Sequence, residues 1–522
     1  MQTQERRFGI LLHPTSLPGR CGIGDLGADA YHFVDDMAAM GVRLWQILPL
    51  GPTGWGNSPY QCASTFAGNP LLISLDRLVE EGLLQPQDPP AELQGATHQA
   101  DFDAVRAYKE PRLREAFESF KAAGGQHDLQ FVSFTASNSW WLQDYSLYMA
   151  IKDHNEGAAW YEWDEPLARR DEKAMDALRG ELHDELCFIR FTQWVFSKQW
   201  QSLCEYAHTK DILIMGDVPI FVAHDSADVW AHPKLFRLKP DGRPLVVAGV
   251  PPDCFSETGQ LWGNPVYDWE ELERTGYRWW VDRIRHTLTL VDMLRLDHFR
   301  GFEAYWAVPA EDPTAEHGSW VPVPANDFFK ALQEELGDLP LIAENLGFIT
   351  PEVERLRQRF GMPGMAILQF AFGRDASCGI YKPHNWTYDT VAYTGTHDND
   401  TAVGWWCTVR LDDPEAPDWL KDEREYARDY LNVDGEPVNW AFLRCLVQST
   451  ARLVIAPLQD VLGLGGEARM NFPGKAEGNW AWRFTREMLT PEIRERLRGL
   501  LETFDRVQTE RPAGLEPVTH GG

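Results

Sequence analysis

The sequence predicts a (β/α)8 TIM barrel with one helical insertion, one loop-rich insertion and no C-terminal β-domain. Three observations predict it. Short apolar strands alternate with amphipathic helices, the pattern of a parallel sheet. The 522 residues are enough to close such a sheet and decorate it. Three strands end in carboxylates, Asp297, Glu344 and Asp398. The carboxyl ends of barrel strands are where this architecture keeps its chemistry.

The elements follow in order. Phe8 to His13 and Val42 to Leu50 read as strands, with Phe33, Val34, Met37 and Ala38 at helical spacing between them. Phe188, Phe191 and Val195 mark a helix before the strand Ile212 to Asp217. Trp280, Ile284 and Leu288 form a stripe ahead of the strand containing Val291, Met293 and Leu294. Phe329, Leu332 and Leu336 follow, with Asn326 as the expected N-cap and Gly337 as the stop. Thr350-Pro351 opens a helix with Val353, Leu356 and Phe360 on one face and Gly361 at its end. The strands Ala366 to Phe370 and Val391 to Thr394 come next. The division expected is 1–75 for the first barrel elements, 76–187 for an inserted helical subdomain and 188–522 for the rest of the barrel. A loop-rich insertion falls at about 221–268, and the tail from Pro512 to Gly522 is expected to fray.

Charge and composition narrow the function. Lys and Arg total 49 against 78 Asp and Glu, a net charge of −29. That balance argues against nucleic acid or an anionic membrane as partner. No apolar run approaches the roughly 20 residues that span a bilayer, and Met1 to Arg7 is not followed by a signal-peptide core. The eight cysteines form no CxxC pair and read as reduced thiols of a cytoplasmic protein. The 22 tryptophans are compatible with stacking on sugars and equally with core packing.

The run Arg295-Leu296-Asp297-His298-Phe299-Arg300 is the most informative. Buried charge is costly unless paired or used. Arg295 and Asp297 are two residues apart, so they share a strand face, and the Arg favours an ionised Asp. A structural rim ion pair is the plain alternative; a carboxylate nucleophile is the functional one. Glu344 either caps the next helix or, if desolvated, serves as a protonated general acid. Asp398 lies in the polar run His397-Asp398-Asn399-Asp400, where metal binding competes, but no second His stands at ligand spacing. Carboxylates with Arg and His and no metal-ligand spacing point to glycosidic-bond chemistry. Tyr60 and Trp262 are candidate sugar platforms, and Asp217 either binds substrate hydroxyls or holds Arg295. Gly22-Ile23-Gly24-Asp25-Leu26-Gly27 matches a dinucleotide fingerprint but does not follow a strand directly, and Gly463-Leu464-Gly465-Gly466 lacks a following Lys-Ser/Thr, so neither reads as a nucleotide site.

These strings together resemble the amylomaltases, the 4-α-glucanotransferase family of the α-amylase superfamily. The resemblance rests on Arg295 to Phe302, Thr394 to Thr401, Gly216 to Trp230, Gly249 to Asp253 and Arg469-Met470-Asn471, and runs from about Phe8 to Trp482. It implies Asp297 as nucleophile, Glu344 as general acid/base and Asp398 as transition-state stabiliser. It further implies that Arg295, His298 and His397 hold the sugar at the cleavage point, with Tyr60 and Trp262 lining neighbouring subsites. Asp217 and Gln260 complete the expected substrate-binding set. Asn345, Cys254 and Trp55 depart from the residues common there. The expected reaction is transfer of α-1,4-glucan segments between maltooligosaccharides by a retaining double displacement, with no metal or organic cofactor and a monomeric or homodimeric protein. The alternatives are a retaining α-glucan hydrolase and a non-catalytic glucan-binding protein.

Overall fold

The computed structural model describes residues 6–94, 98–252, 256–373, 376–409, 415–433, 435–475 and 477–507. Cys254 and the Pro512 to Gly522 tail lie outside these residues. Among the described residues there are twelve strands: β1 (Arg7–Leu11), β2 (Leu44–Gln46), β3 (Leu213–Pro219), β4 (Val246–Val250), β5 (Gln260–Pro265), β6 (Met293–Asp297), β7 (Ala304–Pro309), β8 (Ser319–Pro322), β9 (Leu341–Ala343), β10 (Gly364–Ile367), β11 (Thr390–Tyr393) and β12 (Leu453–Pro457).

Eight of them close into a parallel barrel in the order β1-β12-β11-β10-β9-β6-β3-β2. The closure explains their composition. A strand covered on both faces cannot alternate apolar with polar residues, and β2, β9 and β12 are buried at every position. Helices cover the barrel between strands. Ala28–Met40 buries Phe33, Val34 and Met37, then stops at Gly41, whose φ of 82° is the left-handed conformation glycine tolerates. Arg278–Thr287 buries Trp280 and Ile284 ahead of β6.

Several boundaries differ from the sequence reading, and the strand expected over Val42 to Leu50 is confined to Leu44–Gln46. The helix after β8 spans Ala325–Leu336, so Asn326 lies inside its first turn and Pro324 occupies the cap position. No side chain caps this helix; the Pro324 carbonyl accepts from the Asp327 and Phe328 N–H groups at 3.1 and 3.0 Å. The strand expected over Ala366 to Phe370 ends at Ile367, and Leu368–Ala371 forms a 3-10 turn.

The connection from β2 to β3 is mainly helical, including Phe102–Ala122, Ser139–His154 and His183–Thr209. The last of these is one continuous helix, and the boundary expected near residue 187 falls within it. In its described residues the stretch 221–268 is more ordered than its turn-rich sequence implies. It supplies β4 and β5, which join β7 and β8 in an antiparallel sheet of order β5-β4-β7-β8. That sheet combines the segment after β3 with the segment after β6, and so brings Gln260 and Trp262 to the same end of the barrel as Asp297. Among the described residues no helix is long and apolar enough to cross a membrane.

Candidate active site

The site is assembled from the carboxyl ends of β3, β6, β9 and β11. Parallel pairing puts Asp217 of β3 opposite Arg295 of β6. One guanidinium nitrogen of Arg295, Nη1, donates to Asp217 Oδ2 at 2.6 Å and forms an ion pair with Asp297 Oδ1 at 2.8 Å. The Tyr60 hydroxyl also donates to Asp217 Oδ2, at 2.9 Å. Burial raises the Asp217 carboxyl above the usual carboxylate range, and Arg295 opposes it. Burial alone would lower Arg295, but the carboxylates of Asp217 and Asp297 outweigh it and hold the guanidinium charged. Asp297 itself is partly open, with 28% of its side chain exposed, so it can meet a ligand while Asp217 cannot.

Glu344 follows β9, and among the described residues the donors to its carboxyl are backbone N–H groups. Its Oε2 accepts from the His298 N–H at 2.7 Å and its Oε1 from the Leu346 N–H at 3.0 Å. Its carboxyl is pushed up to about 8: burial is the main cause, Arg295 pulls it down and the Asp297 charge pushes it up. At neutral pH Glu344 therefore holds its proton, the condition for a general acid. His298 adopts a φ of 50° directly after β6, which turns its N–H onto Glu344. A left-handed conformation is uncommon for a residue with a side chain, and such positions concentrate at functional sites. Burial pushes the His298 ring down to about 4, so it is neutral. That ring and Trp262 form a T-shaped pair, 4.7 Å between centroids and 85° between planes. The Trp262 indole N–H in turn donates to Gln260 Oε1 at 3.2 Å.

Asp398, beyond β11, is held from the far end of the chain. The Asn471 amide donates to its Oδ1 at 2.6 Å, and Arg469 donates to its carbonyl at 2.6 Å. His397 Nε2 lies 3.4 Å from Asp398 Oδ2. The His397 ring stacks on Tyr60, with centroids 5.1 Å apart and planes 20° apart. Trp480 packs beside both rings.

The ten site residues singled out in the sequence thus lie in two contact groups, joined at the adjacent residues Asp297 and His298. Tyr60 links Asp217, Arg295 and Asp297 to His397 and Asp398, while His298 links Glu344 to Trp262 and Gln260. Several partners carried no usable local signal. The N–H groups on Glu344 are backbone, Trp480 stands among unremarkable neighbours, and Arg469 and Asn471 stood in a recognisable string without a role. Asn345 is also explained. Its amide donates to Glu354 Oε1 at 2.6 Å and its carbonyl accepts from the Met365 N–H at 2.7 Å. It faces the neighbouring helix and strand, where a carboxylate would confront Glu354. The glycine run at 22–27 is a packed turn in which Asp25 accepts from the Gly27 N–H and from Lys109, and Gly463 ends the short helix Leu458–Leu462.

A closed parallel barrel whose mouth holds a raised Glu carboxyl and an Arg-paired Asp fits the class of enzymes that act on glycosidic bonds. Comparisons with known proteins narrow this. The family model described as 4-alpha-glucanotransferase matches residues 12–490. A 4-alpha-glucanotransferase from Thermus thermophilus is 48% identical over 511 residues, covering 96% of this chain and 99% of the relative. A chloroplastic/amyloplastic 4-alpha-glucanotransferase from Solanum tuberosum is 42% identical over 512 residues, covering 96% of this chain and 87% of the relative. The solved amylomaltase from Streptococcus agalactiae in complex with acarbose superposes with a TM-score of 0.92 at 39% identity, covering 97% of this chain and all of that one. The chain belongs to the 4-alpha-glucanotransferase family, and it is an enzyme that transfers α-1,4-glucan segments.

Proposed function

We propose that the transfer is a retaining double displacement in which Asp297 is the nucleophile, Glu344 the acid/base and Asp398 the stabiliser of the distorted sugar. The observation that carries this reading is the contrast between two carboxyls at one barrel mouth. Asp297 is open and held against a guanidinium, whereas Glu344 is buried and protonated at neutral pH.

Glu344 protonates the glycosidic oxygen that leaves as Asp297 attacks the anomeric carbon. The departing chain takes that proton, and a covalent glycosyl ester forms on Asp297. Once Asp297 is esterified, its charge no longer raises Glu344. The ionised Glu344 then takes the proton from an acceptor 4-hydroxyl, which attacks the anomeric carbon and restores both the α-1,4 bond and the free Asp297 carboxylate. Asp398, fixed by Asn471, binds ring hydroxyls and favours the oxocarbenium-like state. Asp217 and Arg295 orient the Asp297 carboxyl, His298, His397 and Tyr60 hold the sugar, and Gln260 and Trp262 line the acceptor side. The substrates are maltooligosaccharides and longer α-1,4-glucans, and the enzyme works in the cytoplasm as a monomer or homodimer.

Incubation with maltotriose tests this reading. Transfer lengthens some chains, releases glucose and conserves total reducing ends in linear products, with cyclic products counted separately. A steady rise in reducing ends without longer chains makes the protein a hydrolase instead, and no turnover makes it a binding protein.

A further inference from the structure

Asp460 lies in the short helix that follows β12 and is completely buried. Among the described residues no cation is paired with it. A buried carboxylate without a cation is costly, so the use of its two oxygens is informative. Oδ1 accepts from the Ala402 backbone N–H at 2.6 Å, and Oδ2 accepts from the Thr394 hydroxyl. Thr394 is the residue after β11, and Ala402 opens the helix Ala402–Cys407. These two donors stand at opposite ends of the segment that carries His397 and Asp398.

We propose that Asp460 is a positioning residue, whose carboxylate brackets the segment from Thr394 to Ala402 and so fixes Asp398 at the barrel mouth. Its own backbone is anchored, since the Asp460 carbonyl accepts from the Asn439 amide at 3.0 Å and the Gly463 N–H at 3.3 Å. Hydrogen bonds to an ionised acceptor are roughly twice as strong as neutral ones, which suits a clamp made by one carboxylate. The segment is also pinned between the two ends: Gln369 donates to the Asp400 carbonyl at 2.7 Å, and Asn399 Oδ1 accepts from the Thr396 N–H at 2.9 Å. Asp460 touches no substrate in this scheme and acts only through the segment that it ties. The inference rests on the role proposed above for Asp398.

Three variants test it beside Asp398→Asn: Thr394→Val, which removes one arm at nearly constant volume; Asp460→Asn, which can still accept from Ala402 and donate to Thr394; and Asp460→Ala, which removes both arms. Displacements of about 1 Å at a catalytic group cost up to roughly 10²-fold. Folded Thr394→Val should therefore lose about 10-fold in kcat for maltotriose transfer with KM within about twofold. Asp460→Ala should lose more, and Asp460→Asn should stay closest to wild type. Rates are taken per folded molecule, so a variant that merely unfolds does not imitate the effect. If Asp460→Ala does not fold, Thr394→Val decides alone. Wild-type kcat in folded Thr394→Val, or a rise in KM without a fall in kcat, overturns the bracket while Asp398→Asn remains crippled. Wild-type kcat in Asp398→Asn overturns the role of Asp398, and the bracket with it.

Discussion

Arg295→Met isolates the electrostatics on which the site is built. The guanidinium sits between Asp217 and Asp297 with only 4% of its side chain exposed, and the Asp217 side chain is wholly buried. Methionine fills similar space but leaves Asp217 with the Tyr60 hydroxyl as its remaining donor on Oδ2. Breaking a buried ion pair from one side costs about 3–5 kcal/mol. Asp297 contributes less to that loss, because water reaches it. The pH dependence has a definite sign. Burial already holds the Asp217 carboxyl above its unfolded value, and Arg295 is what opposes that rise. Without Arg295 it rises further, so the folded variant keeps a proton that the unfolded chain has released. Stability then falls as pH rises from the unfolded carboxylate range through the folded value. Equilibrium denaturation at pH 5 and pH 8 should show the larger penalty at pH 8. Adding Asp217→Asn should recover most of it by removing the stranded charge. A penalty below about 1 kcal/mol at pH 8, or one that neither grows with pH nor responds to Asp217→Asn, refutes the reasoning.

Glu344→Gln should lower kcat/KM for transfer by about 10²–10⁴-fold without loss of fold, read by circular dichroism beside the rate. With chemistry limiting, the wild-type rate should fall as pH rises through about 8, where burial places the Glu344 carboxyl; a rate unchanged from pH 6 to 10 contradicts that assignment. Trp262→Ala should raise the ratio of hydrolysis to transfer, because an acceptor held against the indole competes with water through its high effective concentration. Free glucose, longer maltodextrins and total reducing ends from maltotriose measure that ratio, and an unchanged ratio removes Trp262 from the acceptor side.

The parts of this molecule that were legible in its sequence are those written at short range. Arg295 and Asp297 two residues apart on an apolar strand declare a shared face, and the pairing of Asp217 with Arg295 could be anticipated because both end barrel strands. The alternation of strands and helices likewise carries the barrel. The antiparallel sheet was not legible. Its strands β4 and β5 lie among Gly and Pro turns, and β4 pairs with β7, which is reached only after β6. The same limit applies to Asp398, whose partner Asn471 lies 73 residues away, and to the stack of Tyr60 on His397. Neither contact has a period or a cap to announce it. Asn345 shows the converse: it looked like a departure at the catalytic strand end, but its side chain faces Glu354, outside the cluster.

The central claim is that a glucosyl group passes through a covalent ester on Asp297. Reaction of Glu344→Gln with a glucosyl fluoride donor, acid quenching and mass mapping of the peptides tests it most directly. The account predicts one added glucosyl residue on the peptide containing Asp297, and none when Asp297→Ala is combined with Glu344→Gln. An adduct on another carboxylate, or transfer in the wild type with inversion at the anomeric carbon, contradicts it.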